Sequence, residues 1–465
     1  MFKYVLIVSI LYGILLISFS FFSRSKNKDS DTYLLAGSNI GAFLGFFTFA
    51  ATLFSTFTIL GMPDFFRVHG IGAWLFLAVS DAVMVFLVIW FGTHFRKKAV
   101  GHKYYGMSGF IGHLYQSKIA GYVTFFGGFI FLIPYVAIQI RGVAIFLNEA
   151  FPEAFPMWGW AVGIVAIILI YSEIGGLKAI IYNDVFQGIV LLIAIWTVGF
   201  VCLSKAGGLE NLFRMAGETD KALLSVPGPK GLFSFQFLLG SMIAITLMPF
   251  TQPQISTRLI IMRDQKALYR MAIGIGFFAL IIIFPTMLMG MFGASNNPGA
   301  STSEFLGNVL ITIQTPLIGS LVMVGLIAAA ISTSDSQLFA LGSELRSLLH
   351  MEDKKALVIA RVCIVAFSLT ALVFSLVSGD ELVLLARTSF AGTAIMGPMV
   401  FTAIFNKKAT DFKWLPILTF IGLVVFICSQ IGLISSNFFG LSAELFIIGL
   451  LALVALALGL KSRQS

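Results

Sequence analysis

The chain has 465 residues, of which 58% are hydrophobic and only 11% are charged. A water-soluble surface needs roughly a quarter of its residues charged, so this composition excludes a soluble globular protein and indicates a chain that lies mostly in lipid. The formal net charge is +9, but the cations lie in short loops and form no basic face, which argues against a nucleic-acid partner.

Hydropathy predicts an all-α polytopic membrane protein of about thirteen transmembrane helices, because a bilayer core of ~30 Å is crossed by about 20 apolar residues. The first apolar run follows a lysine, as in a signal peptide, but it lacks a small-residue cleavage site, and we expect it to stay as a helix. In chain order the predicted spans are 3–22, 42–60, 72–93, 120–147, 157–172, 181–203, 232–251, 270–293, 316–345, 357–378, 381–405, 414–433 and 440–460.

The positive charges predict an orientation. Most of the 30 Lys and Arg lie on one set of loops, which places the N-terminus outside and the C-terminus in the cytoplasm of a multi-pass cell-membrane protein. The loops are too short for a soluble domain, so we expect residues 1–465 to form one transmembrane domain. No motif indicates ATP hydrolysis, metal ligation by Cys or His, or an enzyme's nucleophile–base pair.

Polar residues inside the spans are the candidate functional residues, because a charge at the bilayer centre costs at least ~2.5 kcal/mol. The richest segment is 328–337, where Ser332, Asp335 and Ser336 share one helix face and Thr333 lies beside them. Hydroxyls with one carboxylate suit a hard cation such as sodium. The alternatives are hydroxyls bonded to their own helix carbonyls and a plain helix-packing seam.

Two further segments are candidates. Asp184 lies about one turn into a predicted span, where it is either an ion ligand or an interfacial carboxylate that caps the helix. Residues 51–61 carry four hydroxyls, and broken helices with freed carbonyls often line transporter sites. No Gly or Pro lies within 51–60, so the sequence permits a break there without indicating one.

Three other charges lie within spans. Asp81 is roughly 15 Å below the outer surface, so it should face a cavity, an ion or a cationic partner. Arg141 and Arg387 are only ~9 Å deep, so each either snorkels to the interface or lines a site. Gln139 is a further candidate lining residue.

Several of these segments together resemble the sodium/solute symporter family, whose members carry sugars, amino acids, sialic acid, vitamins and monocarboxylates. The matching segments are Gly175–Ala179, Asn183–Gln187, Gln254–Arg258 with Arg263–Lys266 in the loop after the sixth core helix, Ala329–Gln337 and the early run Lys28–Gly37. The resemblance implies a LeuT-type fold: an extra helix at 3–22, inverted five-helix repeats at 42–203 and 232–405, and two more helices within 414–460.

The resemblance also implies sodium sites. The main site would use the backbone carbonyls of Ala51, Phe54 and Ala329 with the side-chain oxygens of Ser332 and Thr333. A second site, present in some members, would use Asp184, Ser332, Asp335 and Ser336. A carboxylate at 335, where other members carry a hydroxyl, either favours a second sodium or is itself protonated or paired, so the stoichiometry stays open between one and two.

The solute is less well specified. The residues that match the family's solute-binding helices are Ser55, Thr56, Thr58, Ser80, Asp81, Gln139 and Arg141. Asp81 and Arg141 on opposite walls would suit a zwitterion, and if they neutralised each other a neutral solute such as a sugar would fit. A free Arg141 would favour a carboxylate-bearing metabolite, which is the alternative we prefer at this stage.

The expected function is therefore sodium-coupled symport of a small polar solute into the cytoplasm by alternating access. A membrane sensor with a symporter fold is the chief rival, and a channel is another. A coupled transporter accumulates its solute only with a sodium gradient, whereas a channel equilibrates it and a sensor moves none. The sequence leaves the oligomeric state open, a monomer included.

Overall fold

The computed structural model describes residues 2–23, 36–99, 102, 106–172, 177–349 and 353–464. Most of Lys28–Gly37 and the pair Gly175–Gly176 therefore lie outside the described residues. In the described part the chain is almost entirely helical, and its strands are two short ones, β1 (Asn437–Phe438) and β2 (Leu441–Ser442), which pair antiparallel.

The main helices are numbered here in chain order. They are α1 (Phe2–Ser23), α2 (Ala42–Leu53), α3 (Phe57–His69), α4 (Leu75–Ala99), α5 (Met107–Tyr115), α6 (Lys118–Ala150), α7 (Met157–Ser172), α8 (Leu177–Lys205), α9 (Leu209–Thr219), α10 (Phe235–Thr251), α11 (Pro253–Ile260), α12 (Gln265–Asn296), α13 (Thr302–Gly307), α14 (Pro316–Leu348), α15 (Asp353–Val377), α16 (Leu382–Ala394), α17 (Gly397–Phe405), α18 (Leu415–Gln430) and α19 (Ala443–Gln464).

The apolar helices correspond one to one with the predicted spans. In the described part, seven helices contain a stretch long and apolar enough to cross a membrane alone, and three bent helix pairs pass the same test together. The shorter apolar helices α1, α7 and α18 account for the remaining predicted spans. Helices α6 and α14 lie at the centre, with 83% and 78% of their most apolar stretches buried, so the polar residues they carry face other helices.

Three spans are broken. Helices α2 and α3 meet at 58°, α10 and α11 at 56°, and α16 and α17 at 42°. Pro253 begins α11 and Pro398 lies in the first turn of α17, where a missing N–H is tolerated. Two predicted boundaries are therefore wrong. The second span does not end at 60 but continues, bent, to His69, and the segment after 251 is not a loop but the buried helix α11.

At one end of the bundle, backbone hydrogen bonds join the segment before α2 to the segment after α11. The Ile40 amide donates to the Ile261 carbonyl at 3.1 Å, and the Arg263 amide donates back to the Ile40 carbonyl at 2.8 Å. Arg96, near the end of α4, donates to the carbonyls of Leu259, Ile260 and Met262 beside the end of α11. Cations favour helix C-termini, whose last carbonyls lack partners, so Arg96 holds α11 in place at this cation-rich end.

Arg387 was expected either to snorkel to the interface or to line a site. The structure shows it paired with a buried carboxylate instead of snorkelling. Its Nη2 binds the Glu444 carboxylate of α19 at 2.5 Å, its Nε donates to Ser241 of α10 at 2.9 Å, and its guanidinium lies over the Phe237 ring. The glutamate side chain is only 6% exposed, so this pair joins the C-terminal helix to the core.

Replacing Glu444 with Ala should lower the free energy of unfolding by about 3 kcal/mol, because it leaves the partly buried guanidinium without its counter-charge. Thermal unfolding in detergent measures this loss. The matched control is Glu218→Ala, which breaks the exposed pair with Arg214 and should cost under about 1 kcal/mol. Equal losses in the two variants would contradict a structural role for the Arg387–Glu444 pair.

Candidate functional site

Hydroxyl groups in the polar segment of α14 bind neighbouring helices. Ser332, Thr333, Ser334, Asp335 and Ser336 are all buried. The Thr333 hydroxyl donates to the Ala51 carbonyl of α2 at 3.1 Å, and the Ser332 hydroxyl donates to Asp184 Oδ1 of α8 at 2.6 Å. These two hydroxyls therefore bind neighbouring helices, and the alternative that they bond back to their own helix does not apply to them.

The Ala51 carbonyl is available because α2 ends two residues later. In a continuous helix it would accept from the Ser55 amide, but that amide donates instead to Thr58 Oγ1 at 3.1 Å. Phe54 has an extended backbone, with φ −98° and ψ 117°. The break thus exposes carbonyl oxygens at the negative end of the α2 dipole, directly opposite the α14 hydroxyls.

Helix α6 holds the break open. The Tyr135 hydroxyl donates to the Leu53 carbonyl at 2.9 Å. The Gln139 Oε1 accepts from the Thr56 amide at 3.2 Å, and its Nε2 donates to Ser55 Oγ at 3.1 Å. Backbone groups at membrane depth need partners, and α6 supplies those that a regular helix would have provided. Sequence reasoning missed Tyr135.

Asp184 is fully buried, so it is not an interfacial cap. Its Oδ1 accepts from Ser332 and its Oδ2 accepts from the Thr48 hydroxyl of α2, both at 2.6 Å. It therefore joins α8 to α2 and α14. Thr48 is a second residue of this site that sequence reasoning missed, although it lies one turn before the hydroxyl-rich segment.

Arg258 is the largest departure from the sequence prediction, which placed it in a cation-bearing loop. It lies on α11 with a fully buried side chain. Its Nη2 donates to Ser336 Oγ at 2.8 Å and lies 3.9 Å from Asp184 Oδ2, and its Nη1 donates to the Gln254 carbonyl. Predicting the bend at Gln252 would have revealed α11 as a second half-helix directed into the core.

Asp335 completes a buried charge cluster with Asp184 and Arg258. It is 3% exposed, and within the described part of the chain it makes no hydrogen bond or ion pair, while Asp184 and Arg258 are the charges that act on it. Two carboxylates and one guanidinium would carry a net charge of −1 with all three groups ionised. Buried charge of that sign attracts a cation.

The solute candidates separate into two groups. Ser55, Thr56, Thr58 and Gln139 lie together at the break. Ser80 and Asp81 are buried where α4 changes from a π-helical turn to α-helix. Asp81 is 5% exposed and has no hydrogen-bond or ion-pair partner in the regions that the structure describes.

Arg141 does not meet Asp81. Its Nε and Nη2 bind Asp380 Oδ1 at 2.8 and 2.6 Å, and its Nη1 donates to the Ser375 carbonyl at 2.7 Å. Asp380 is half-exposed. The guanidinium is therefore neither free, as the carboxylate alternative required, nor paired with Asp81, as the neutral-solute alternative required.

Known proteins resemble this chain in both sequence and fold. The model of the sodium:solute symporter family matches residues 33–412. The sodium/pantothenate symporter of Haemophilus influenzae is 25% identical, with 72% of this chain and 69% of that protein covered. The high-affinity proline transporter PutP of Bacillus subtilis is also 25% identical, with 85% of each protein covered.

Among solved structures, a substrate-bound, outward-open Na⁺-coupled sialic acid symporter superposes with a TM-score of 0.76 at 18% identity, covering 98% of this chain and 96% of that one. The nucleobase-cation-symport-1 family transporter Mhp1 superposes with a TM-score of 0.60 at 12% identity, covering 92% and 95%. At these identities the structures establish the fold alone. By the family match over most of its length, the chain belongs to the sodium:solute symporter family: it is a multi-pass cell-membrane transporter of LeuT-type fold, not an enzyme, and it couples transport of a small solute to sodium.

Proposed function

We propose that the chain takes up an ammonium-bearing solute with sodium bound between α2 and α14. The main sodium ligands would be the carbonyls of Ala51, Phe54 and Ala329 and the hydroxyls of Ser332 and Thr333. The observation that carries the proposal is the 3.1 Å contact between Thr333 Oγ1 and the Ala51 carbonyl. It brings a side-chain oxygen and a freed backbone oxygen to one place, and sodium prefers oxygen ligands of this kind.

A second sodium would bind at Asp184, Ser332, Asp335 and Ser336. The support is the composition of the buried cluster, in which two carboxylates face a single guanidinium, so that ionising both carboxylates leaves one uncompensated negative charge. One sodium ion would neutralise it. We therefore favour a stoichiometry of two sodium ions per solute.

Asp81 is the residue from which we propose that the solute carries an ammonium group. A buried carboxylate without a partner among the described residues calls for a cation, and Arg141 is already bound to Asp380. An amino acid fits this requirement, and the proline transporters among the relatives act on one. The other proposed lining residues are Ser55, Thr56, Thr58, Ser80 and Gln139. Pantothenate, the solute named for another relative, carries a carboxylate without an ammonium group and is the second candidate.

The uptake direction follows from the charge distribution. We propose that the N-terminus is extracellular and that the cation-rich end faces the cytoplasm. Repeats at 42–203 and 232–405 are supported by their first helices, which are broken with bends of 58° and 56°. Sodium and solute that favour the same outward-open state raise each other's affinity, and the membrane potential contributes ~2.3 kcal/mol per charge per 100 mV.

Uptake into proteoliposomes tests the proposal, with labelled L-proline, pantothenate and glucose as ammonium-bearing, carboxylate-only and neutral probes. L-Proline should accumulate only with an inward sodium gradient. Thr333→Ala should reduce this accumulation at least about tenfold, because it removes one ion ligand. The matched control is Thr370→Ala, since Thr370 is exposed on α15 and bonds only its own helix.

Three outcomes would contradict the proposal. Equal accumulation without sodium would indicate a channel or an uncoupled carrier. Accumulation of pantothenate but not of proline would remove the ammonium assignment while leaving sodium coupling intact. Full activity of Thr333→Ala would place the main sodium site elsewhere.

A further inference from the structure

We propose that Arg258 is a tethered cation that competes with sodium for the second sodium site. Its guanidinium takes the oxygens of that site when sodium leaves and gives them up when sodium binds. The inference rests on the proposed function, because it requires the second site at Asp184, Ser332, Asp335 and Ser336.

The guanidinium already uses part of the site. A single nitrogen, Nη2, donates to Ser336 Oγ at 2.8 Å and lies 3.9 Å from Asp184 Oδ2. These are two of the four proposed sodium ligands. A sodium ion that binds both oxygens would lie close to Nη2, and two positive charges repel each other strongly at such a short separation in a low-dielectric environment. Binding by one cation therefore excludes the other.

The competition would keep the buried carboxylates partly neutralised after sodium release. If sodium left the buried cluster with no replacement, Asp184 and Asp335 would repel each other in a low-dielectric environment. A guanidinium stays protonated in proteins, so Arg258 cannot avoid the burial cost by losing a proton. It partly compensates the carboxylates after sodium release, and a carrier without sodium can then return to the outward-open state.

The side chain is not held by all of its donors. Arg258 Nε has no hydrogen-bond partner in the described part of the chain, so one of its donors is unused. The residue lies on the short helix α11, beyond the bend at Gln252, whereas Asp184 and Ser336 lie on the unbroken helices α8 and α14. Sodium entry repels the guanidinium, and this repulsion acts on α11.

Helix α11 leads directly to the segment that is joined to the one before α2. Ile261 and Arg263, just after α11, make the two backbone hydrogen bonds with Ile40. Displacement of Arg258 by sodium therefore acts on the element that makes these contacts at the cation-rich end. Through this path the second ion would influence opening to the cytoplasm.

Sodium binding to the full-length protein in detergent tests the competition without any solute. Sodium chloride is titrated against choline chloride at constant ionic strength, with the thermal unfolding midpoint and radioactive sodium binding as readouts. Arg258→Gln should raise the sodium affinity of the second site about tenfold, because the competing charge is gone. Arg214→Gln, at an exposed arginine, should change nothing.

Arg258→Lys serves if Arg258→Gln does not fold, because it keeps the buried charge. Its ammonium lacks the planar fork of arginine, so sodium affinity should rise by a smaller factor of about threefold. Unchanged or weaker sodium binding in a folded Arg258 variant would overturn the competition and leave Arg258 a structural role.

Two further variants separate this failure from failure of the proposed function. Thr333→Ala should weaken sodium binding at the main site, and Asp335→Asn should weaken it at the second. If neither variant changes sodium binding, the proposed sites are wrong. If both behave as expected and the Arg258 variants do not bind sodium more tightly, only the competition is wrong.

Discussion

Replacing Asp184 with Asn is expected to reduce sodium-dependent solute transport at least about 100-fold. The carboxylate accepts the Ser332 and Thr48 hydroxyls and faces Arg258, all in a fully buried setting. Asparagine keeps the shape but removes the charge. The guanidinium is then opposed by Asp335 alone, the cluster becomes neutral without sodium, and the attraction for a second ion is lost.

Initial uptake rates and sodium titrations in proteoliposomes measure this effect. Asp220→Asn is the matched control, since Asp220 is exposed and caps a short 3₁₀ turn at Lys221–Leu224. The variant should still bind sodium at the main site, where Thr333 and Ala51 are unchanged. Wild-type sodium dependence in Asp184→Asn would mean that the carboxylate only positions Ser332.

The second large effect is expected at Asp81. Asp81→Asn should lower transport of an ammonium-bearing solute about 100-fold, because the buried counter-charge of the solute is lost. Sodium binding measured without solute should stay within about twofold of the wild type, because Asp81 belongs to neither proposed sodium site. Asp81→Glu keeps the charge and should retain part of the activity.

The comparison of sodium binding with solute transport makes this prediction specific. Equal losses of both in Asp81→Asn would make Asp81 an ion ligand or a structural residue. Undiminished transport would show that the solute ammonium, if present, lies elsewhere. Either result would favour a solute that carries a carboxylate without an ammonium group.

The sequence predicted the number and order of the spans well because bilayer thickness sets a length that hydropathy detects. It also identified both residues of the Ser332–Asp184 contact, because placing polar or charged side chains inside the bilayer costs free energy and therefore indicates a functional role. In both cases one local signal, apolar length or misplaced polarity, was sufficient.

The missed features depend on partners far away in the chain. The break after Leu53 is held by Tyr135 and Gln139 of α6, and no Gly or Pro marks it. Arg258 was assigned to a loop because charge after an apolar run is ordinarily interfacial. Arg141 and Arg387 find Asp380 and Glu444 only through tertiary packing. Hydropathy contains no information about such pairings.

The break between α2 and α3 is built from residues that are all able to continue a helix, since none of Phe54, Ser55 and Thr56 is Gly or Pro. If Tyr135 and Gln139 withdrew, the segment could straighten, and the Ser55 amide could leave Thr58 Oγ1 for the Ala51 carbonyl and restore the missing helical turn. The backbone N–H and C=O groups of this segment would then hydrogen-bond to one another, and fewer free carbonyl oxygens would remain to bind an ion. Refolding of a single turn would thus weaken the sodium site. The strength of the hydrogen bonds between α6 and residues 53–56 would then determine how readily the ion is released.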